Sequence, residues 1–458
     1  MAEPSPASAS SDSSTLSWKK RRLPTVASLR RAALQGKGEE SGAPATVAGW
    51  LAGRRSSGRL LFLNFRDGSG FAQVVVFRKA VSSEAFEAAR HCPLESAVEI
   101  RGAAFAEPRA PGGMELRATD FRVIHAAEPY PITPKEHGAS FLLDRRHLWL
   151  RSRRQHALLR IRDEVLFAFR EYLRDQGFIC GDTPIFTPNA CEGTTTLFET
   201  QYFDRHAYLS QSGQLYNEAI AMSVGRTYCL GPTFRAEKSK TRRHLIEFWM
   251  LEPEVAFAEL GEIVELAEGL ICHAVDRVLT NRAAELATLD RDPERLRRIQ
   301  PPFPRITYDQ AAARLAEKGT DFTLGDDFGA PDETALTEGM DRPLVVTHFP
   351  AAIKAFYMEP APGRPDRVLG MDILAPEGYG EIVGGGQRIH DHDLLRERVR
   401  EHGLPEEAFG WYLDLRRFGS VPHSGFGLGI ERFVAWMSGI SHLREAIPFP
   451  RTLYRLSP

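Results

Sequence analysis

The sequence predicts an α+β protein: a small five-stranded β-barrel, then a larger domain whose central antiparallel sheet is flanked by helices. Three observations carry this. At 458 residues the chain is too long for one ordinary core. Short β runs broken by turns fill residues 45–125, with only one helical stretch among them. Beyond residue 150, strands and amphipathic helices both occur but do not alternate as βαβ units, which argues against a doubly wound parallel sheet.

Residues 1–35 are rich in Ser, Ala and Pro and then turn basic (Trp18-Lys-Lys-Arg-Arg22), which predicts a disordered basic extension. No apolar signal-peptide region is present, and Glu3 and Asp12 count against a transit peptide. Residues 36–128 hold the runs Thr46-Val-Ala-Gly-Trp50, Leu60-Leu-Phe-Leu-Asn-Phe65, Phe71-Ala-Gln-Val-Val-Val-Phe77, Ala97-Val-Glu-Ile-Arg-Gly102 and Met114-Glu-Leu-Arg-Ala118, with a short helix at 83–91. Five strands and one helix fit a Greek-key barrel of the oligonucleotide-binding (OB) kind, although another small barrel fits the same text.

Prolines at 129, 131 and 134 mark a linker, set at 129–150. The domain at 151–458 opens on a helix over 153–176, read from Leu158, Ile161, Val165, Phe169 and Leu173 and stopped by Gly177. Strands follow near 228–230, 344–347, 368–374 and 380–383. The mostly helical, charged text at 259–340 reads as an insertion.

Composition excludes several classes of function. The 58 Lys and Arg nearly balance the 60 Asp and Glu, so any nucleic-acid contact must come from local basic patches. The five cysteines form no CxxC pair, which fits a reducing, cytoplasmic compartment without a metal finger. No apolar run reaches the roughly 18 residues of a membrane span.

Two segments carry chemistry. Phe234-Arg-Ala-Glu-Lys-Ser-Lys-Thr-Arg-Arg-His-Leu-Ile-Glu-Phe248 reads as a hairpin that presents guanidinium, carboxylate and aromatic groups together. Such groups can hold a purine nucleotide; a surface hairpin with a solvated basic tip accounts for them equally well. Gly425-Phe-Gly-Leu-Gly-Ile-Glu-Arg432 is a Gly-rich run leading into an apolar helix, without the Lys-Ser/Thr ending of a P-loop.

Taken with Gly177-Phe and Pro184, these two segments occur in the order of the three signature motifs of class II aminoacyl-tRNA synthetases, and the resemblance runs from about residue 40 to the end. It implies a six-stranded antiparallel sheet and a homodimer formed through the first motif around Pro184. The barrel-first order is similar to the subgroup charging Asp, Asn and Lys. Ser212-Gly-Gln-Leu-Tyr-Asn-Glu-Ala219, Ile353-Lys-Ala-Phe-Tyr-Met358 and Tyr412-Leu-Asp-Leu-Arg-Arg-Phe-Gly-Ser-Val-Pro-His423 closely resemble the bacterial asparaginyl enzymes.

The activity so implied is ATP-dependent joining of L-asparagine to tRNA(Asn) through an asparaginyl-adenylate. The resemblance gives Arg235 the α-phosphate, Glu237 the adenine amine, Phe248 one face of the ring, and Arg432 the other face or the γ-phosphate. Arg243 or His244 takes the outer phosphates, and Asp372 and Glu381 take Mg²⁺. Glu192 and Gln214 grip the α-amino group, and Arg388 meets the side-chain carbonyl. Glu218 is expected to accept from the carboxamide and repel a carboxylate. In the barrel, Phe62 stacks on an anticodon base, Gln73 reads an edge, and Arg54, Arg55, Arg59 and Arg66 meet phosphates; Phe62 as a plain core residue is the competing reading.

One departure points toward a non-discriminating aspartyl enzyme. Gly384-Gly-Gly-Gln-Arg-Ile-His-Asp391 has the Ile-His-Asp of aspartyl synthetases after its shared Arg388. A non-catalytic RNA-binding paralogue is the alternative of another class, and the retained Arg235, Glu237, Asp372, Glu381 and Arg432 argue against it. A ligase making free asparagine normally lacks the barrel.

Overall fold

The structure, a computed structural model, describes residues 23–35, 44–188, 197–239 and 241–458. The chain divides into two compact units, 1–137 and 138–458.

In the first unit, β1 (Pro44–Ser57), β2 (Leu60–Arg66), β3 (Phe71–Phe77), β4 (Ala97–Ala106) and β5 (Met114–His125) close into a barrel in the order β1-β2-β3-β5-β4. Period-2 alternation decides what faces inward: Leu61, Leu63 and Phe65 are buried, and Phe62 and Asn64 between them point out. A helix at Ser83–His91, capped by the Ser82 hydroxyl, adds Ala85, Phe86 and Ala89 to the core. The basic extension is shorter than the sequence suggested. Residues 26–35 form a helix, α1 (Val26–Gln35), whose first N–H groups donate to Asp67 Oδ2 (2.6 Å) and Ser69 Oγ (3.0 Å) and whose Val26 is buried in the barrel core. Residues 1–22 lie outside the described ones.

The second unit begins before residue 151. Helices at Ala139–Asp144 and Arg146–Trp149 occupy the expected linker, and Arg146, 1% exposed, donates to the carbonyls of Pro448 (2.7 Å) and Ile447 (2.8 Å). The long helix α2 (Arg153–Asp175) starts at a Ser152 cap and ends before Gly177, whose φ of 79° is left-handed.

The remaining strands are β6 (Ile179–Cys180), β7 (Phe186–Thr187), β8 (Glu199–Tyr202), β9 (Arg205–Leu209), β10 (Arg226–Phe234), β11 (Glu247–Ala256), β12 (Arg305–Thr307), β13 (Leu344–Pro350), β14 (Pro360–Ala361), β15 (Arg364–Ala375), β16 (Gly380–Arg388) and β17 (His423–Gly429). The main sheet runs β12-β13-β15-β16-β17-β11-β10-β6, with β14 paired to β15. Six inner strands, β13 to β10, are antiparallel as expected; β12 and β6 extend the sheet at each edge by parallel pairing.

The expected insertion at 259–340 is not a separate body. Helix α3 (Leu260–Asn281) packs with α2 and with α4 (Ile430–Ser438) against Leu251, Leu428, Val383 and Ile373, one face of the sheet, and β12 joins the sheet itself. The opposite face, carrying residues one step along each strand, is left to the site.

Candidate functional site

β10 and β11 pair antiparallel from Arg226↔Val255 to Phe234↔Glu247, so residues 235–246 form the connecting loop. The Arg235 N–H donates to the Ile246 carbonyl (2.9 Å), closing the base of that loop. One cavity is lined by Arg235, Glu237, Arg243, His244 and Phe248 from this hairpin, Glu381 from β16, and Gly427, Gly429 and Arg432 around β17 and α4. The structure thus brings together all seven residues expected at the nucleotide, drawn from three separated stretches of chain.

Within the cavity the Arg235 guanidinium lies 5.4 Å from the Phe248 ring centroid. Arg432 donates through Nη1 to the Glu381 carbonyl. Arg243 is tied to Glu333 (3.1 Å) and the Gly378 carbonyl. Burial, with Arg432 nearby, lowers the pKa of His244, which leaves the imidazole neutral and the positive charge on arginines. Glu431 also borders the cavity, with its carboxylate engaged on the protein side: it accepts from the Trp249 N–H (2.9 Å) and pairs with Arg162 (2.7 Å), pinning α4 to β11 and α2.

Asp372 and Glu381 lie on neighbouring strands and flank Gly384. Asp372 is 6% exposed and its Oδ2 accepts from Lys354 Nζ (2.7 Å). Burial pushes its carboxyl up to about 7, Lys354 opposes, and the Glu381 charge adds to the rise. Lys354 was not singled out by sequence.

At the far end of the same sheet face, Arg388 forks onto Glu254 through Nε (3.1 Å) and Nη2 (3.0 Å), both side chains being fully buried. Glu218 departs from expectation. It sits on the helix α5 (Gln214–Val224) with no exposed surface and with both carboxylate oxygens already engaged by protein donors, so it has no acceptor left for a substrate carboxamide. Its oxygens are taken by Gln214, Tyr412, Arg416 and His423. Helix α5 thus supplies polar side chains, Gln214, Asn217 and Glu218, beneath the amino-acid end. Asn217 is likewise occupied, donating to the Glu252 carbonyl (2.7 Å). Glu192 lies outside the described residues.

Sequence reasoning missed Glu252, Glu254, Tyr412, Arg416 and His423. Glu252 accepts from the Gly213 N–H (2.9 Å) and the Ser212 hydroxyl, fixing the loop before Gln214. The available signal was polar residues at alternate positions of a strand, β11, whose other face is apolar. The group Glu218, Glu254 and His423 is spaced like a metal site. Arg388 and Arg416 already neutralise its two carboxylates, so it is an ion-pair cluster.

The aspartyl-like text after Arg388 has local work. His390 pairs with Glu359 (3.4 Å), and Asp391 caps the following helix through the Leu394 N–H (2.8 Å). Neither changes what Arg388 presents.

In the barrel, Arg55, Phe62, Val75 and Arg117 form one cross-strand row, and Asn64, Gln73 and Glu115 form the next. Phe62 is half-buried, with the Arg55 guanidinium 5.0 Å from its ring centroid, while Phe65 fills the core. Arg66 is not available for phosphate: it is 6% exposed and forks onto Glu95 (2.7 Å). Arg54 is partly engaged too, donating to the Cys92 carbonyl (2.7 Å).

Comparison with known proteins gives matches over both units. Residues 139–453 match the model of the tRNA synthetases class II (D, K and N), and residues 45–124 match that of the OB-fold nucleic acid binding domain. The asparagine–tRNA ligase of Pelotomaculum thermopropionicum is 56% identical over 421 residues, covering 92% of this chain and 98% of that protein. That of Roseiflexus castenholzii is 57% identical over 425 residues, covering 91% and 97%. Among solved structures, asparaginyl-tRNA synthetase from Pyrococcus horikoshii complexed with asparaginyl-adenylate superposes with a TM-score of 0.90 at 43% identity, covering 96% of this chain and all of that one. Aspartyl tRNA synthetase from Entamoeba histolytica gives 0.78 at 29% identity, covering 91% and 90%.

Proposed function

We infer the chemistry of this site from one premise: the chain belongs to the asparagine–tRNA ligases, within the class II tRNA synthetases of the D, K and N type. It is an aminoacyl-tRNA synthetase that charges tRNA(Asn) with L-asparagine through an asparaginyl-adenylate, with ATP as substrate. The observation that carries the assignment of roles is the convergence of the seven nucleotide-site residues on one cavity.

In the first step an oxygen of the asparagine carboxylate bonds to the α-phosphorus as the bond to pyrophosphate breaks. The nucleophile is already ionised, so no general base is needed and catalysis is positioning and charge stabilisation. Arg235 holds the α-phosphate and offsets the charge that accumulates there. Phe248 stacks on the adenine, Glu237 accepts from its amine, and Arg432 with Arg243 or His244 holds the outer phosphates.

The donor set at Asp372 and Glu381 fits Mg²⁺. Two hard carboxylates stand side by side, and burial gives Asp372 a proton affinity that a divalent cation can displace. When bound, the ion supplies charge neutralisation across the phosphates. Lys354 keeps the inner oxygen of Asp372 engaged, leaving Oδ1 toward Gly384.

Asparagine is favoured over aspartate by charge balance. Arg388 is matched by Glu254 and Arg416 by Glu218, so this end of the site has no unneutralised guanidinium for a second substrate carboxylate. Gln214, with Glu192, takes the α-ammonium, and Arg388 donates to the side-chain carbonyl through Nη1, which Glu254 leaves against the Met358 sulfur (3.7 Å).

Phe62, Gln73, Arg55 and Arg59 read and hold the anticodon of tRNA(Asn). Exposed Phe167, Ile179, Ile185 and Phe186, around α2, the β6 edge and Pro184, form the face of a homodimer. No described helix is long and apolar enough to cross a membrane, and we place the protein in the cytoplasm.

Pyrophosphate exchange into ATP tests the reading: it should depend on asparagine. Equal exchange with aspartate would refute the specificity, and no exchange with either would point to the non-catalytic paralogue.

A further inference from the structure

Glu218 cannot touch a ligand, yet it is among the most heavily bonded side chains of the second unit. Oε1 accepts from Gln214 Nε2 (3.0 Å) and Tyr412 Oη (2.9 Å); Oε2 accepts from Arg416 Nη2 (2.7 Å) and lies 3.0 Å from His423 Nε2. Tyr412 and Arg416 come from the helix α6 (Gly410–Arg417), four residues apart on one face, and His423 opens β17. The His423 Nδ1 lies 2.8 Å from the Val421 carbonyl and therefore carries a proton. Glu254 and Arg388, from β11 and β16, are the other charges that act on the cluster. Burial alone pushes the Glu218 carboxyl up, but Arg416 and His423 override it and hold it well below the usual carboxylate range.

An ionised carboxylate only accepts. Gln214 must then offer its NH₂ to Glu218, which turns its carbonyl oxygen the other way. No described residue donates to that oxygen, and Gln214 keeps 8% of its surface open at the start of α5, beside the loop that Glu252 fixes.

We propose that Tyr412, Arg416 and His423 are positioning residues which, by keeping Glu218 a pure acceptor, lock the Gln214 amide so that the amino-acid pocket meets a carbonyl oxygen, the half of the amide that binds an ammonium. If Glu218 could donate, the amide would be free to turn and present NH₂ to the substrate's own positive charge. The inference rests on the asparagine-ligase reading and on Gln214 as an ammonium contact.

A double-mutant cycle tests it. Glu218→Gln places a donor where only an acceptor stood; we expect the asparagine KM to rise about tenfold or more, the equivalent of one lost charged hydrogen bond, with the ATP KM little changed. In a Gln214→Met background, which has no amide to turn, the same substitution should add almost nothing. Binding of 3-carbamoylpropanoate, asparagine without its α-ammonium, should be indifferent to Glu218→Gln. Full additivity of the two substitutions, or equal weakening of asparagine and of the ammonium-free analogue, would overturn the inference. Should Glu218→Gln fail to fold, Arg416→Gln, which removes the larger of the two influences that keep Glu218 ionised, enters the same cycle with the same two outcomes. Absence of asparagine-dependent exchange in the unaltered protein would instead refute the function itself.

Discussion

Replacing Arg235 by Ala tests the group to which the proposed chemistry assigns the α-phosphate. The side chain is half-buried at the mouth of the β10–β11 hairpin, and its main-chain N–H, not its guanidinium, closes the hairpin on Ile246. The substitution therefore removes the charge without removing the turn. A guanidinium meeting a phosphate makes two charge-assisted hydrogen bonds of about 1.5–3 kcal/mol each, or roughly 3–6 kcal/mol together. At about 1.4 kcal/mol per decade, kcat/KM for asparagine-dependent pyrophosphate exchange should fall roughly 10²- to 10⁴-fold, mostly in kcat, because the contact strengthens as charge builds on the α-phosphate. Arg235→Lys keeps a point charge but not the fork and should recover only part of the loss. Thermal unfolding serves as the control and should move little. A variant within about tenfold of the original rate, with ATP still binding, would refute the assignment.

Gln73→Ala should leave exchange intact and weaken tRNA charging, since Gln73 lies on the outer face of the barrel beside Asn64; charging unchanged with purified tRNA(Asn) would remove it from the anticodon site. Arg388→Lys loses the fork on Glu254 and should raise the asparagine KM by about tenfold while sparing the ATP KM, read from the same exchange assay at varied substrate. Gly385→Ala drives a methyl group against the Gly425 carbonyl and to 2.6 Å from Phe426 Cα; a loss of about 1–3 kcal/mol or more in denaturant unfolding is expected, and an unchanged midpoint would refute the tight β16–β17 approach.

The nucleotide end was legible because its residues lie close together in sequence or carry glycine spacing: Arg235 to Phe248 is a single hairpin, and Gly425 to Arg432 a single turn into a helix. The amino-acid end was not. Glu218 finds Tyr412 across 194 residues and His423 across 205, and no local periodicity reports a contact of that span. Reading Glu218 as a substrate contact followed from its charge; its burial depended on α6 and β17 closing over it. The same limit applies to 259–340, where charged helical text suggested an insertion. In α3 the inward stripe of Ile263, Val264, Ala267, Ile271 and Ala274 is continuous and belongs to the main core. Local composition describes the solvent face of such a helix better than its partner.

The glycines acquire a common explanation once the register is known. Glu254, Gly425, Gly386 and Gly370 are directly paired across β11, β17, β16 and β15, and Gly427, Gly384 and Asp372 form the neighbouring row. All lie on the sheet face opposite the helical core, and Gly427 lines the nucleotide cavity. Along β11 the same face carries Phe248, Met250, Glu252 and Glu254 in steps of two, so the Phe248 ring and the ion pair that holds Arg388 stand about 20 Å apart on one strand. Beside that strand the paired glycines of β16 and β17 add no side chains of their own: a Cβ at Gly425 would strike the Glu254 carboxylate, and one at Gly386 the Leu369 carbonyl. An in-line reaction requires an amino-acid carboxylate and an α-phosphate to touch, and bulky side chains on this floor would hold them apart. The two glycine rows let β15, β16 and β17 approach closely, and on the proposed assignment they also clear the surface over which the substrates given to Arg388 and to Arg235 meet.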